Sequence, residues 1–107
     1  MIRHCVMLRL SSAVDEAELS DIMKGLSDLV ADLAGCSDFV CGPNRDFENK
    51  SPDHGYGFTL DAVDAPTLAR YAEDPRHKEL GARLVALCEG GARGIVVYDL
   101  EEGADGP

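Results

Sequence analysis

A change of hydrophobic period close to the start of the chain limits what it can fold into. From Ile2 to Leu10, the residues Ile2, His4, Val6, Leu8 and Leu10 alternate with Arg3, Cys5, Met7 and Arg9. A repeat of two places the first set on one face of a strand and the second set on the other. The spacing then becomes three and four, through Leu19, Ile22, Met23, Leu26, Leu29, Val30 and Leu33. This predicts an amphipathic helix of about five turns, opened by Asp15, Glu16 and Glu18 at its positive dipole end and closed near Gly35. A helix with one apolar stripe needs a sheet to lie on, and the remaining chain supplies it.

Cys36 to Asp46 reads as a strand with a bend or bulge at Gly42, since Pro43 has no N–H to give to a ladder. Phe47 to Gly55 is polar and reads as a loop. Tyr56 to Val63 is a further strand, with Tyr56, Phe58, Leu60 and Ala62 on one face. Asp64 offers an N-cap and Pro66 suits the first turn of a short helix through Leu68 and Tyr71. Pro75 interrupts that helix, and a second stretch runs from Arg76 to Cys88 with His77, Leu80, Leu84 and Leu87 on one stripe. After Gly90–Gly91, the run Ile95, Val96, Val97 and Tyr98 predicts a central strand.

The order β-α-β-β-α-β predicts an α+β fold with a ferredoxin-like βαββαβ protomer, whose helices share one face of a four-stranded antiparallel sheet. Residues 1–100 form one domain in this reading, and the acidic, Gly-rich 101–107 a flexible tail. The other sheet face would carry Cys5, Met7, Phe39 and Cys41 without cover. A second copy across a two-fold axis is the expected partner for it, giving a homodimer and a dimeric α+β barrel.

The balance of 20 acidic against 10 basic residues, a formal charge of −10, repels phosphate backbones and argues against nucleic-acid binding. No apolar run approaches the roughly 18 residues that span a bilayer, and Arg3, His4 and Arg9 make the opening segment unlike a secretion signal. No membrane partner and a cytoplasmic location are therefore expected. Cys5, Cys36, Cys41 and Cys88 form no CxxC pair, and His4, His54 and His77 have no HxxxH spacing. The cysteines read as small hydrophobes, and no structural metal is expected. Asn44, Asp46, Glu48 and Asp53 lack the order of an EF-hand and read as a solvated loop. Nothing in the sequence specifies haem, flavin or another cofactor.

Three polar groups fall where the pattern calls for apolar ones. His4 shares its strand face with Val6 and Leu8, His77 lies on the stripe of Leu80 and Leu84, and Tyr71 follows Leu68 by three residues. Each buried polar atom must find a partner. Taken singly, each is readily a satisfied core residue. Taken together around the Pro75 break, they also describe a pocket in which a neutral imidazole beside a phenol suits proton abstraction and enolate stabilisation. Asp99, near the end of the last strand, could orient a histidine but reads as a solvated strand-end acid.

The opening Ile2-Arg3-His4-Cys5-Val6-Met7-Leu8-Arg9-Leu10, the Gly42 bend, Gly55-Tyr56-Gly57-Phe58 and Tyr71-Ala72-Glu73-Asp74-Pro75-Arg76-His77 together resemble the stress-responsive A/B-barrel (Dabb) family, over about residues 1 to 100. The Tyr-x3-Pro-x-His segment, combined with the early strand histidine, is the most specific part. The resemblance implies a small dimeric α+β barrel. Plant polyketide cyclases that form olivetolic acid are similar, and by that likeness His77 would be the base of an intramolecular aldol condensation, Tyr71 would bind and polarise the carbonyl, and His4 would wall the pocket. The likeness departs at Leu26, where those cyclases carry a second pocket tyrosine, and at Ile22 and Met23, which replace bulky aromatics. Three functions follow as expectations. The first is binding of a small apolar or carbonyl-containing metabolite by His4, Val6, Leu8, Ile22, Met23, Leu26, Phe58, Leu80 and Leu84. The second is a cofactor-independent cyclase, isomerase or lyase using His77 and Tyr71. The third is a purely structural dimer with a filled core.

Overall fold

The computed structural model describes residues 1–103 of the 107. Its elements are β1 (Ile2–Leu8), α1 (Glu16–Asp32), β2 (Cys36–Pro43), β3 (Tyr56–Ala62), α2 (Ala65–Glu73), α3 (Pro75–Leu87) and β4 (Ile95–Glu101). The expected order holds, with the second helix in two pieces. Of the expected tail, Glu101 closes β4 and 104–107 lie outside the described residues. Among the described residues, no helix is long and apolar enough to cross a membrane.

The strands form one antiparallel sheet in the order β2-β3-β1-β4. Register decides which side chains share a face. Val6 lies opposite Phe58 and Val97, and His4 opposite Leu60 and Asp99. These residues face the helices. α1 starts at Asp15, whose carboxylate accepts from the N–H groups of Ala17 and Glu18. It lays Leu19, Ile22, Met23, Leu26, Leu29 and Val30 on Leu8, Phe58 and Leu60 to form the core. α1 and α3 approach closely at Gly25, where a Cβ would lie 2.8 Å from Leu80 Cδ2.

Four expectations are corrected by the sheet. β1 ends at Leu8, and Leu10 makes only an isolated bridge to Cys88. The β2 irregularity falls between Ser37 and Val40, not at Gly42, which pairs in register with Gly57. Asp38 carries it at φ 56, a conformation that acidic and amide side chains tolerate better than most. The bulge turns Phe39 toward the core, where its ring meets Phe58 at 5.7 Å, and Cys41 pairs with Phe58 on the helix side. Neither belongs to the open face. β4 is an edge strand, not a central one. Its run is apolar on both faces because one faces a cavity and the other is the uncovered side of the sheet.

That uncovered side carries Cys5, Met7, Val40, Val96, Tyr98 and Leu100, of which Val40, Tyr98 and Leu100 are 63%, 60% and 61% exposed. Met7 lies across Gly57. A Cβ there would stand 2.5 Å from Met7 Sδ and 2.7 Å from the Val6 carbonyl oxygen. On the same face Arg3 donates from Nε and Nη2 to the two oxygens of Asp61, at 2.9 and 3.1 Å, and holds that buried carboxyl below its ordinary range.

Candidate functional site

The joint between α2 and α3 fixes two of the three polar groups. Pro75 restricts the residue before it to extended backbone, and Asp74 sits at φ −61, ψ 131. Asp74 closes α2 by donating its N–H to the carbonyls of Arg70 and Tyr71, and opens α3 by accepting from the Arg76 N–H at 2.8 Å. Arg76 also reaches Asp32 of α1 at 2.7 Å and so ties the joint to the neighbouring helix. One residue therefore ends one helix and begins the next. Tyr71 and His77 are left on opposite sides of a single bend, with ring centroids 4.6 Å apart.

His4 meets this pair from β1. Its ring packs edge-on against Tyr71 at 5.8 Å, so both imidazoles pack on the phenol ring. The three line a cavity of about 480 Å³, whose floor is Val6, Phe58, Ile95 and Val97 and whose helix wall includes Leu68, Leu84 and Val85. That volume lies within the usual range for small-molecule sites, roughly 300–1,000 Å³. The layer between helices and sheet is thus not filled. Gly81 borders the cavity with no atom within 4 Å of where its Cβ would be. A glycine inside a helix costs about 1 kcal/mol relative to alanine, and here it keeps that space open.

The polar atoms are held in defined states. Tyr71 is 1% exposed, and its hydroxyl has no hydrogen-bond partner among the described residues. Burial, with a smaller contribution from the Cys36 thiol, pushes its pKa upward, so the phenol keeps its proton and can only donate it in a hydrogen bond. His77 is half-buried, and its Nδ1 lies 3.1 Å from the Ala72 carbonyl. A carbonyl oxygen only accepts, so Nδ1 carries the hydrogen and Nε2 is left as the basic atom. Burial lowers the His77 pKa and nearby His4 lowers it further, while the Ala72 bond and Asp74 oppose the shift. The net direction favours the neutral base. His4 Nδ1 lies 2.6 Å from Asp99 Oδ1, so it too presents Nε2 as the free nitrogen. Among the described residues, no three His, Cys, Asp or Glu side chains converge as a metal cage would require.

Of the residues expected to contact a ligand, His4, Val6, Phe58, Tyr71, His77 and Leu84 line this cavity. Leu8, Ile22, Met23, Leu26 and Leu80 do not. They are buried in the core between the sheet, α1 and α3, and of them Met23 borders a separate groove of about 650 Å³ and Leu80 a smaller one beside Gly25. Asp99, expected to be solvated, is half-exposed yet bonded to His4. The pairing register carries that signal, because antiparallel β1 and β4 set position 4 against position 99. Lys78 and Ala72 at the rim had no signal beyond their nearness to His77 and Tyr71.

A βαββαβ protomer with both helical layers on one sheet face, and a cavity walled by histidine and tyrosine between them, defines a ferredoxin-like α+β barrel domain. The chain belongs to the stress responsive A/B barrel domain family, which matches residues 2–102. It is 41% identical to a dimeric ferredoxin-like protein of unknown function from Jannaschia sp. CCS1, with a TM-score of 0.89 over 94% of this chain and 97% of that one. The hydroxynitrile lyase of Passiflora edulis shares the fold at 17% identity and a TM-score of 0.76, over 96% and 95% of the two chains. SnoaB, a cofactor-independent oxygenase from Streptomyces nogalater, shares it at 15% identity and a TM-score of 0.73, over 99% and 96%. No curated protein matches the sequence.

Proposed function

We propose that this protein is a cytoplasmic homodimer that binds a small, largely apolar, carbonyl-containing metabolite in the cavity between α2, α3 and the sheet. One observation carries the ligand class. Tyr71 borders a cavity that is otherwise mostly apolar, and its hydroxyl is a buried donor with no partner among the described residues. An unpaired buried hydroxyl costs roughly 1–3 kcal/mol, and a ligand carbonyl oxygen would remove that cost. The apolar open face of the sheet supports the dimer, as does the dimeric protein from Jannaschia. The free state of all four thiols fits a reducing compartment.

The test uses benzylacetone and butylbenzene, which differ chiefly in the carbonyl group. The ratio of their dissociation constants should favour the ketone about tenfold more in the wild type than in Tyr71→Phe, the scale of one hydrogen bond. An unchanged ratio, or a failure of both compounds to bind, overturns the reading.

A second reading adds chemistry to the same pocket, because His77 has its Nδ1 hydrogen fixed by a backbone carbonyl and its pKa lowered. Such an imidazole suits removal of a proton beside a ketone, with Tyr71 donating to the oxygen as charge develops. This is the first step of cofactor-independent cyclase, isomerase or lyase chemistry. The fold hosts a lyase in Passiflora edulis and a cofactor-independent oxygenase in Streptomyces nogalater. Turnover would fall about a hundredfold or more in His77→Ala, the scale of losing a general base.

A further inference from the structure

The pocket holds a second imidazole whose arrangement parallels that of His77. His4 is mostly buried, with 14% of its side chain exposed, and its Nδ1 is bonded at 2.6 Å to Asp99, a residue of the facing edge strand. A carboxylate in that position selects the Nδ1–H tautomer and balances the positive charge that arises when Nε2 accepts a proton. His77 reaches the same tautomer by a different means, the Ala72 carbonyl. Each imidazole packs against Tyr71, and all three residues line one cavity.

We infer that Asp99 is a positioning residue for His4, and that His4 is a second proton-transfer group serving the side of a bound ketone that His77 does not. The inference rests on the reading of the pocket as a site for carbonyl compounds. The ligand class it names is narrower, a ketone with removable protons on both carbons that flank the carbonyl. In each half of the chemistry one Nε2 takes an α-proton. The C–H electron pair becomes the π bond of the enolate, and Tyr71 donates a hydrogen bond to the oxygen. The imidazolium then returns a proton to carbon and the ketone re-forms. No oxidant, reductant or cofactor enters the balance.

Benzylacetone has two distinct α-positions, a methyl and a methylene, and in deuterium oxide their exchange is followed separately by proton NMR. Wild-type protein should accelerate exchange at both. Asp99→Asn should slow one position about a hundredfold, the scale of a lost general base, while His77→Gln slows the other. Asp99→Glu should restore part of the rate. Nitrogen NMR of the histidine rings provides a reading that needs no ligand. His4 should be the Nδ1–H tautomer in wild type and lose that preference in Asp99→Asn, because an amide can donate where the carboxylate only accepts. The inference is overturned if both positions slow equally in Asp99→Asn, if neither does, if wild type exchanges neither, or if the His4 tautomer is unmoved. Should benzylacetone fail to bind at all, the carbonyl-site reading fails, and the tautomer measurement alone decides whether Asp99 positions His4.

Discussion

Replacing Tyr71 by phenylalanine should make the protein more stable while weakening what it does. The ring is 1% exposed and packs against His4 and His77, and those contacts survive the change. What is lost is a hydroxyl that is buried without a partner. Such a group costs roughly 1–3 kcal/mol. The lower end applies here, since removing the oxygen also leaves a small void that gives back part of the gain. Tyr71→Phe should therefore gain about 1 kcal/mol, which moves the melting temperature of a domain of this size up by about 4 °C or more. The assay is thermal and urea denaturation of both proteins at one protomer concentration, because dimer stability depends on concentration. A variant that loses 1 kcal/mol or more would refute the reasoning and show that the hydroxyl is fully bonded in the ligand-free protein.

Other outcomes follow from single positions. Gly81→Ala should stabilise the free protein by about 0.5–1 kcal/mol through helix propensity, whereas Gly81→Leu should abolish benzylacetone binding by filling the cavity, both read by denaturation and titration. Gly57→Ala should cost roughly 1–3 kcal/mol, and adding Met7→Ala should not restore it, since the Val6 carbonyl oxygen at 2.7 Å is backbone and cannot give way. Met7→Glu, on the open sheet face, should yield a monomer of 11.5 kDa by light scattering at micromolar concentration. The folded chain holds His77 below the ordinary histidine value of 6.5. As pH falls through 6.5 the unfolded chain takes up a proton that the folded chain refuses. Stability should therefore fall from that point until the folded value is passed. Urea midpoints measured from pH 7.5 down to 5 should show this fall in wild type and less of it in His77→Gln.

The fold was legible because each element states its own period and ends at its own punctuation. The alternation of β1 as far as Leu8, the stripe of α1, the Asp64 cap and the Pro75 break all appear where the residues put them. What failed was information that only pairing supplies. Gly42–Pro43 reads as the natural place for a bulge, but the strained residue is Asp38, and its effect on Phe39 is visible only against β3. The run in β4 reads as central because apolar residues on both faces usually mean cover on both faces. Here one face meets a cavity and the other is open.

The site was legible in its polar members and illegible in its extent. Periodicity says that Leu8, Ile22, Met23, Leu26 and Leu80 point inward, as His4 and His77 do. It does not say whether the space opposite is filled. Around Leu8, Ile22 and Leu26 it is filled, and at the bend between α2 and α3 it is not. Asp99 needed one further step, the antiparallel register that sets it against His4.

The most direct measurement of the central claim is the carbon-13 shift of benzylacetone labelled at its carbonyl carbon. Bound to the wild type, that resonance should move downfield from its free value in an apolar solvent, because a buried phenol donates to the oxygen. In Tyr71→Phe the ligand should still enter the cavity but the downfield shift should vanish. A carbonyl resonance that is the same in both proteins would contradict the account, since the ligand would then reach the cavity without meeting the hydroxyl that the structure leaves unpaired.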